Sequence, residues 1–306
     1  MKINVKVVFS ISFFVILLLV QTTFSQNISS NSSPLNSKRL NEIIISESVV
    51  YVASVVFLHS AWYKKFSRFH FFNDMPEWLL MDKFGHATTT YNIGAFQTDL
   101  FRWAGMNNTK SIWWGAAVGS AYQLTIETMD GFSPQWGFSL GDFAANTLGS
   151  ALYVSQALTW NEQRIQLKFS FHTTIYPQYR PEMLGKNLGQ QWLKDYNGQT
   201  YWLSANIFSF LPSQAQTNFP NWVNVAFGYG AEGMLSGRPD FSNGADVPQM
   251  GRYRKFFFAP DIAWDRVNKN QSLVPLPMDV INFLKTPLPT LEFNKKRKIV
   301  FHPLYF

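Results

Sequence analysis

The stretch "RIQLKFSFHTTIY" (164–176) decides the fold. Ile165, Leu167, Phe169, Phe171 and Ile175 fall on one side and Gln166, Lys168, Ser170, His172 and Thr174 on the other. That period of two belongs to a half-buried strand and to no helix. Upstream the pattern is different. Apolar residues run in four helix-sized stretches, 43–63, 81–104, 110–130 and 139–160, separated by "FNDMPEW", "AGMNNTK" and "GFSPQWGFS". Ser139 stands where a side-chain oxygen can cap the fourth helix.

Downstream the alternation continues after a short helical piece around 182–194. In "WVNVAFGYGAEGML" (222–235), Val223, Val225, Phe227 and Tyr229 oppose Asn224, Ala226, Gly228 and Gly230. Large residues outside and small or polar ones inside are how the wall of a curved sheet looks. "NGQTYWLSANIFSFL" (197–211), "RYRKFFFAPDIAW" (252–264) and "KIVFHPLYF" (298–306) supply further strands, five or six in all. That is fewer than the eight of the smallest membrane barrels, so the sheet is expected to stay open, curling against the helices or laying one aromatic face on a membrane. The fold class is therefore α+β: a bundle of about four apolar helices over 40–160, then a curved antiparallel sheet over 161–306.

The N-terminus reads as an export signal over residues 1–25, with Lys2 and Lys6 before the apolar run "VVFSISFFVILLLV" and small residues Thr23 and Ser25 near a cleavage point. A Ser/Asn-rich leader follows over 26–39. The chain has 306 residues, enough for a sizeable core, and no cysteine, which removes disulfides, thiolate metal sites and a lipid-bearing cysteine. Aromatic residues make up 17% and charged ones 15%, a balance tilted toward burial or membrane contact rather than disorder. The net charge of +7 suits an anionic lipid surface. Nucleic acid is not an expected partner, because no element carries a basic stripe interleaved with aromatics.

Three of the helical stretches each carry a polar strip. Asp82 and His86 share one helix face, Gln123, Glu127 and Asp130 another, and Asp142, Asn146 and Gly149 a third. The series "DKFGH", "ETMDGFS" and "SLGDFAANTLGS" resembles the YfiM-like family of predicted periplasmic lipoproteins, a domain of unknown function, and more distantly VanZ-like membrane proteins. The resemblance covers roughly residues 80–150, and the positions that match are Asp82, Lys83, His86, Glu127, Asp130, Asp142, Asn146 and Gly149. It implies an envelope location and a helical core, and it supplies no activity. The missing lipoprotein cysteine and the strand-rich extension depart from it.

Two readings of these residues stay open. As a reaction centre, Asp82, His86, Glu127, Asp130 and Asp142 offer an imidazole and four carboxylates for acid/base work. Asp82, His86 and Glu127 would hold a divalent metal, and Lys83 and Asn146 would be binding residues. The product would be a metal-assisted or acid/base hydrolase acting on an envelope lipid or glycan head group. As a structural network, the same groups pair with one another and fix the register of packed helices. That version is a scaffolding or binding component at the periplasmic face of the outer membrane, its partner a membrane surface or an outer-membrane protein. An inner-membrane protein with four spans is the third arrangement. Oligomeric state is not legible.

Overall fold

The computed structural model describes residues 34–61, 63, 65–239, 250–267, 278–296 and 298–306. The expected export signal and residues 26–33 of the expected leader lie outside the described residues, and residues 37–39 of that leader already belong to the first helix. Four long helices come first: α1 (Ser37–Ala61), α2 (Met81–Trp103), α3 (Asn108–Gly131) and α4 (Leu140–Thr159). Each coincides with one of the four apolar stretches. Asn107 caps α3 by accepting from the amides of Thr109 and Lys110, and Ser139 caps α4 by accepting from the amide of Asp142. Both caps stop the preceding loop and set where the polar residues of the next helix face.

Six strands follow: β1 (Ile165–Phe171), β2 (Gln199–Asn206), β3 (Val223–Glu232), β4 (Tyr253–Ile262), β5 (Leu288–Asn294) and β6 (Lys298–Tyr305). They form one antiparallel sheet in chain order, β1 to β6. α5 (Leu188–Lys194) lies between β1 and β2, and α6 (Met278–Phe283) precedes β5. The strand the sequence hid is β5, whose run carries Pro289 and follows Pro287. Proline cannot donate to a ladder and normally argues against a strand.

The chain divides into two compact units. Of the described residues, the helical unit comprises those up to Met75 with Lys83–Gln163, and the sheet unit comprises Pro76–Asp82 with those from Arg164 onward. In the helical unit small residues set the spacing. A Cβ on Gly115 would sit 2.3 Å from Thr98 Oγ1, and one on Gly149 would sit 2.2 Å from the carbonyl oxygen of Ala87, so α3 and α4 both approach the backbone of α2 where only hydrogen fits. α1 joins through Ile43, which packs with Leu100, Phe101 and Ala104. Among the described helices, one segment, Ser37–His59, is long and apolar enough to cross a membrane by length and composition.

In the sheet unit the alternation has an unusual sense. Lys168, Ser170, Thr200, Ser204, Asn224, Lys255, Asp261 and Glu292 are buried, whereas Leu203, Phe227, Phe256, Phe258, Phe293, Ile299 and Phe301 are exposed. The register agrees across strands: Leu203 faces Phe227, Phe227 faces Phe258, Phe258 faces Leu291 and Leu291 faces Phe301. Near the Phe169 end, the apolar face is covered locally by Met81, Trp78, Trp192 and Phe283. The sheet curls round its polar face far enough for the Tyr305 hydroxyl on β6 to lie 2.9 Å from Thr200 Oγ1 on β2, yet β1 and β6 do not pair. Instead the edge of β1 receives the amide of Lys285 on the carbonyl of Phe169.

Candidate functional site

The helical unit gathers most of the polar residues singled out in the sequence. The first turns of α2 bring Lys83 and His86, α3 brings Gln123 and Glu127, and α4 brings Asp142 and Asn146. Their spacings of three and four put each pair on one helix face. His86 Nε2 lies 3.6 Å from Glu127 Oε1 and 3.6 Å from Asp142 Oδ1. One ligand atom from each of His86, Glu127 and Asp142 falls within 4.8 Å of the other two. Two of the three expected metal ligands are thus in this group, and its third member is Asp142, drawn from the wider candidate set.

The other side of the imidazole meets two amide side chains. Nδ1 is 3.2 Å from Asn146 Oδ1 and 3.4 Å from Gln123 Nε2, so the ring takes either tautomer here; with the proton on Nδ1 and given to Asn146, Nε2 presents a lone pair to the two carboxylates. Thr90 Oγ1 and Gln123 Nε2 donate to the same Asn146 oxygen at 2.9 and 3.3 Å, holding it in place. Lys83 bridges Asp74 at 2.7 Å and Asp142 at 2.8 Å. It serves as a neutraliser of carboxylates here. Ser139 donates its hydroxyl to Asp74 at 2.6 Å and its amide to Glu127 Oε2 at 3.2 Å.

Glu127 is left short. The residue is 1% exposed, and its Oε1 has no hydrogen-bond partner among the described residues. Burial, followed by the charge of Asp130, pushes its carboxyl up to about 8. Burial, followed by the Lys83 charge, pushes His86 down to about 4, so the ring is neutral at physiological pH. Three candidate ligand atoms therefore converge, with Asp142 Oδ1 also held by Lys83 Nζ at 2.8 Å, and a proton on Glu127 or a cation between the three groups would stabilise the arrangement.

The remaining sequence candidates sit as follows. Asp130 accepts a 2.7 Å bond from the Tyr63 hydroxyl, and burial pushes its carboxyl up to about 7. Asp82 groups with the sheet unit, where its charge adds to burial in raising the Tyr201 hydroxyl above its ordinary range. Asp74 is the residue that sequence reasoning passed over. It lies in the turn before α2 with no periodic partner, and only its contacts with Lys83 and Ser139 reveal it.

With this geometry in hand, the comparisons are specific to the helical half. Residues 70–157 match the family described as "Predicted periplasmic lipoprotein (DUF2279)". The match spans every member of the cluster from Asp74 to Asn146 and ends before the first strand. No curated protein and no solved structure matched the chain.

Proposed function

We propose that the helical unit is a divalent-cation-binding module of an exported cell-envelope protein, in which the ion ties α2, α3 and α4 together. The observation that carries this reading is the convergence of His86 Nε2, Glu127 Oε1 and Asp142 Oδ1 with the Glu127 oxygen buried and unpartnered. Donors of one imidazole and two carboxylates suit zinc or manganese better than calcium, which prefers an all-oxygen shell. With its proton on Nδ1, the ring would donate to Asn146 Oδ1, the kind of contact that metal-bound imidazoles commonly make through their other nitrogen. Lys83, held by Asp74 on its other side, offsets the second negative charge of Asp142.

Such a module fits a scaffolding or binding role, the ion fixing helix register where a hydrophobic contact cannot. A second reading, metal-assisted hydrolysis of an envelope head group, is favoured by one observation. The His86 side chain keeps 18% of its surface, so an ion beside it would have a solvent-facing position.

The test is calorimetric titration of chelator-treated protein with zinc and with manganese. One equivalent binds to the parent protein, and Glu127→Gln and Asp142→Asn each weaken binding at least about tenfold, as loss of a ligand requires. Unchanged binding in both variants would overturn the proposal. Hydrolysis of a model phosphodiester that depends on the added ion and vanishes in Glu127→Gln would select the second reading.

A further inference from the structure

The sheet unit is built inside out, and nothing in the cation-site reading explains that. Its enclosed face holds ion pairs, Lys168 to Asp261 at 2.8 Å, Lys285 to the same carboxylate at 3.6 Å and Lys255 to Glu232 at 3.3 Å, together with a His302 to Glu292 hydrogen bond at 2.8 Å. Its outer face over β2 to β6 is a continuous field of apolar side chains, with Phe227 at 54% and Phe301 at 61% exposure. Soluble sheets place charge outward and apolar groups inward, and a field of this size is rarely left in water. Charged-in and apolar-out is the arrangement of a wall that faces hydrocarbon.

Three observations favour lipid over a second copy of the chain. The apolar rows are tall: Phe256, Phe258, Pro260 and Ile262 succeed one another along β4, six residue steps or about 20 Å, close to the apolar band of a membrane wall. The field lies on the outer side of a curled sheet, a shape that yields to acyl chains more readily than to its own copy. One rim of the field carries basic side chains. Arg252, Arg254 and Lys295 line a shallow groove whose floor is Phe256 and Phe293, the first row of the apolar field. Arg254 Nε donates to the Tyr229 hydroxyl at 3.0 Å, and an Arg252 terminal nitrogen donates to the Gly237 carbonyl at 2.7 Å, so both guanidinium groups are positioned rather than loose.

We propose that the outer face of β2 to β6 lies against the acyl chains of a bilayer and that the rim groove takes the phosphate of an anionic lipid. Guanidinium groups suit phosphate by their donor geometry, and Phe256 and Phe293 receive the start of the chains below it. The sheet is open, and unpaired strand edges are not tolerated in hydrocarbon, so the contact is one-sided: the wall rests in the membrane surface and does not cross it.

The chain has no cysteine, so single cysteines can carry a fluorophore at chosen positions without other changes. Full-length protein is labelled at Phe258→Cys, Phe301→Cys or, as a control, Glu182→Cys, and mixed with vesicles of phosphatidylglycerol and phosphatidylethanolamine bearing brominated acyl chains. Quenching is expected at 258 and 301 and not at 182. Arg254→Glu with Lys295→Glu should weaken binding to these vesicles at least about tenfold and leave binding to pure phosphatidylcholine unchanged. Two results would overturn the proposal. One is vesicle binding without quenching at 258 and 301, which would put the attachment in the helical unit. The other is shielding of those positions in lipid-free protein that scales with protein concentration, which would make the face a self-association surface. Absence of vesicle binding by the folded parent protein, checked by circular dichroism, would also sink it.

Discussion

Two buried clusters, one around Asp261 in the sheet unit and one around Glu127 in the helical unit, satisfy their polar groups differently. In the sheet unit Asp261 has Lys168 and Lys285 around it, Ser204 donates to it at 2.7 Å, and Lys168 also reaches the Ile262 carbonyl at 2.8 Å. In the helical unit Glu127 keeps one buried oxygen without a partner, facing a neutral imidazole and a second carboxylate. A saturated network is what structure alone requires, since each buried polar group must be paired. A network left short, here at Glu127 Oε1 and Asn146 Nδ2, leaves room for something to bind. The same residue types thus carry different meanings, and the difference lies in the count of partners.

The largest expected effect tests the saturated side. Asp261→Asn leaves Lys168 and Lys285 buried against no full charge and should destabilise the protein by about 3–5 kcal/mol in denaturant melts. Adding Lys168→Met should recover part of the loss. A cost under about 1 kcal/mol would mean that water reaches the pair and would break the comparison. Next comes the spacing that assembles the cation site. Gly149→Ala puts a methyl carbon into the Ala87 carbonyl, and separating α2 from α4 should cost roughly 2–3 kcal/mol and weaken ion binding along with it. Stability lost with ion affinity intact would show that the site does not depend on this approach.

A pH series sharpens the unsatisfied side. The Glu127 carboxyl, pushed up to about 8, holds a proton in the folded state that the unfolded chain has given up well below neutrality. Metal-free stability should therefore fall as pH rises from about 6.5 to 8, by about 2 kcal/mol. Asp130, pushed up to about 7, adds to the lower part of that window. His86, pushed down to about 4, acts the other way: below about pH 6.5 the unfolded chain gains a proton that the buried ring refuses, and stability falls as pH drops. Saturating zinc takes the place of the Glu127 proton and should flatten the upper slope. Thermal melts with and without zinc read this directly. The smallest effect belongs to the outer face. Phe301→Ser should change stability in detergent-free buffer by no more than about 0.5 kcal/mol, because the ring already faces outward. A loss near that of a buried aromatic would show that the face is covered in solution.

Much of the fold was legible in the sequence because two periods are hard to confuse. Four apolar runs of helix length and the alternation beginning at Ile165 placed all four long helices and five strands. β5 was hidden by Pro289, which sits exposed in the strand where the ring harms little. For the site, i to i+4 spacing found His86, Glu127, Asp142 and Asn146 as facing residues, since helix geometry alone puts such pairs on one side. Spacing could not say which helix faces meet. Asp142 completes the His86–Glu127 group because α4 approaches α2 at Gly149, and Asp74 enters because its loop folds back onto Lys83.

The sequence by itself determined the kinds of elements, their order and the side of each that is polar, because those follow from local backbone geometry. Only the tertiary structure decided which polar groups find partners and which apolar face stays uncovered. Those are contacts between residues distant in the chain, such as Glu127 with His86 and Phe227 with Phe258, and no local rule specifies them.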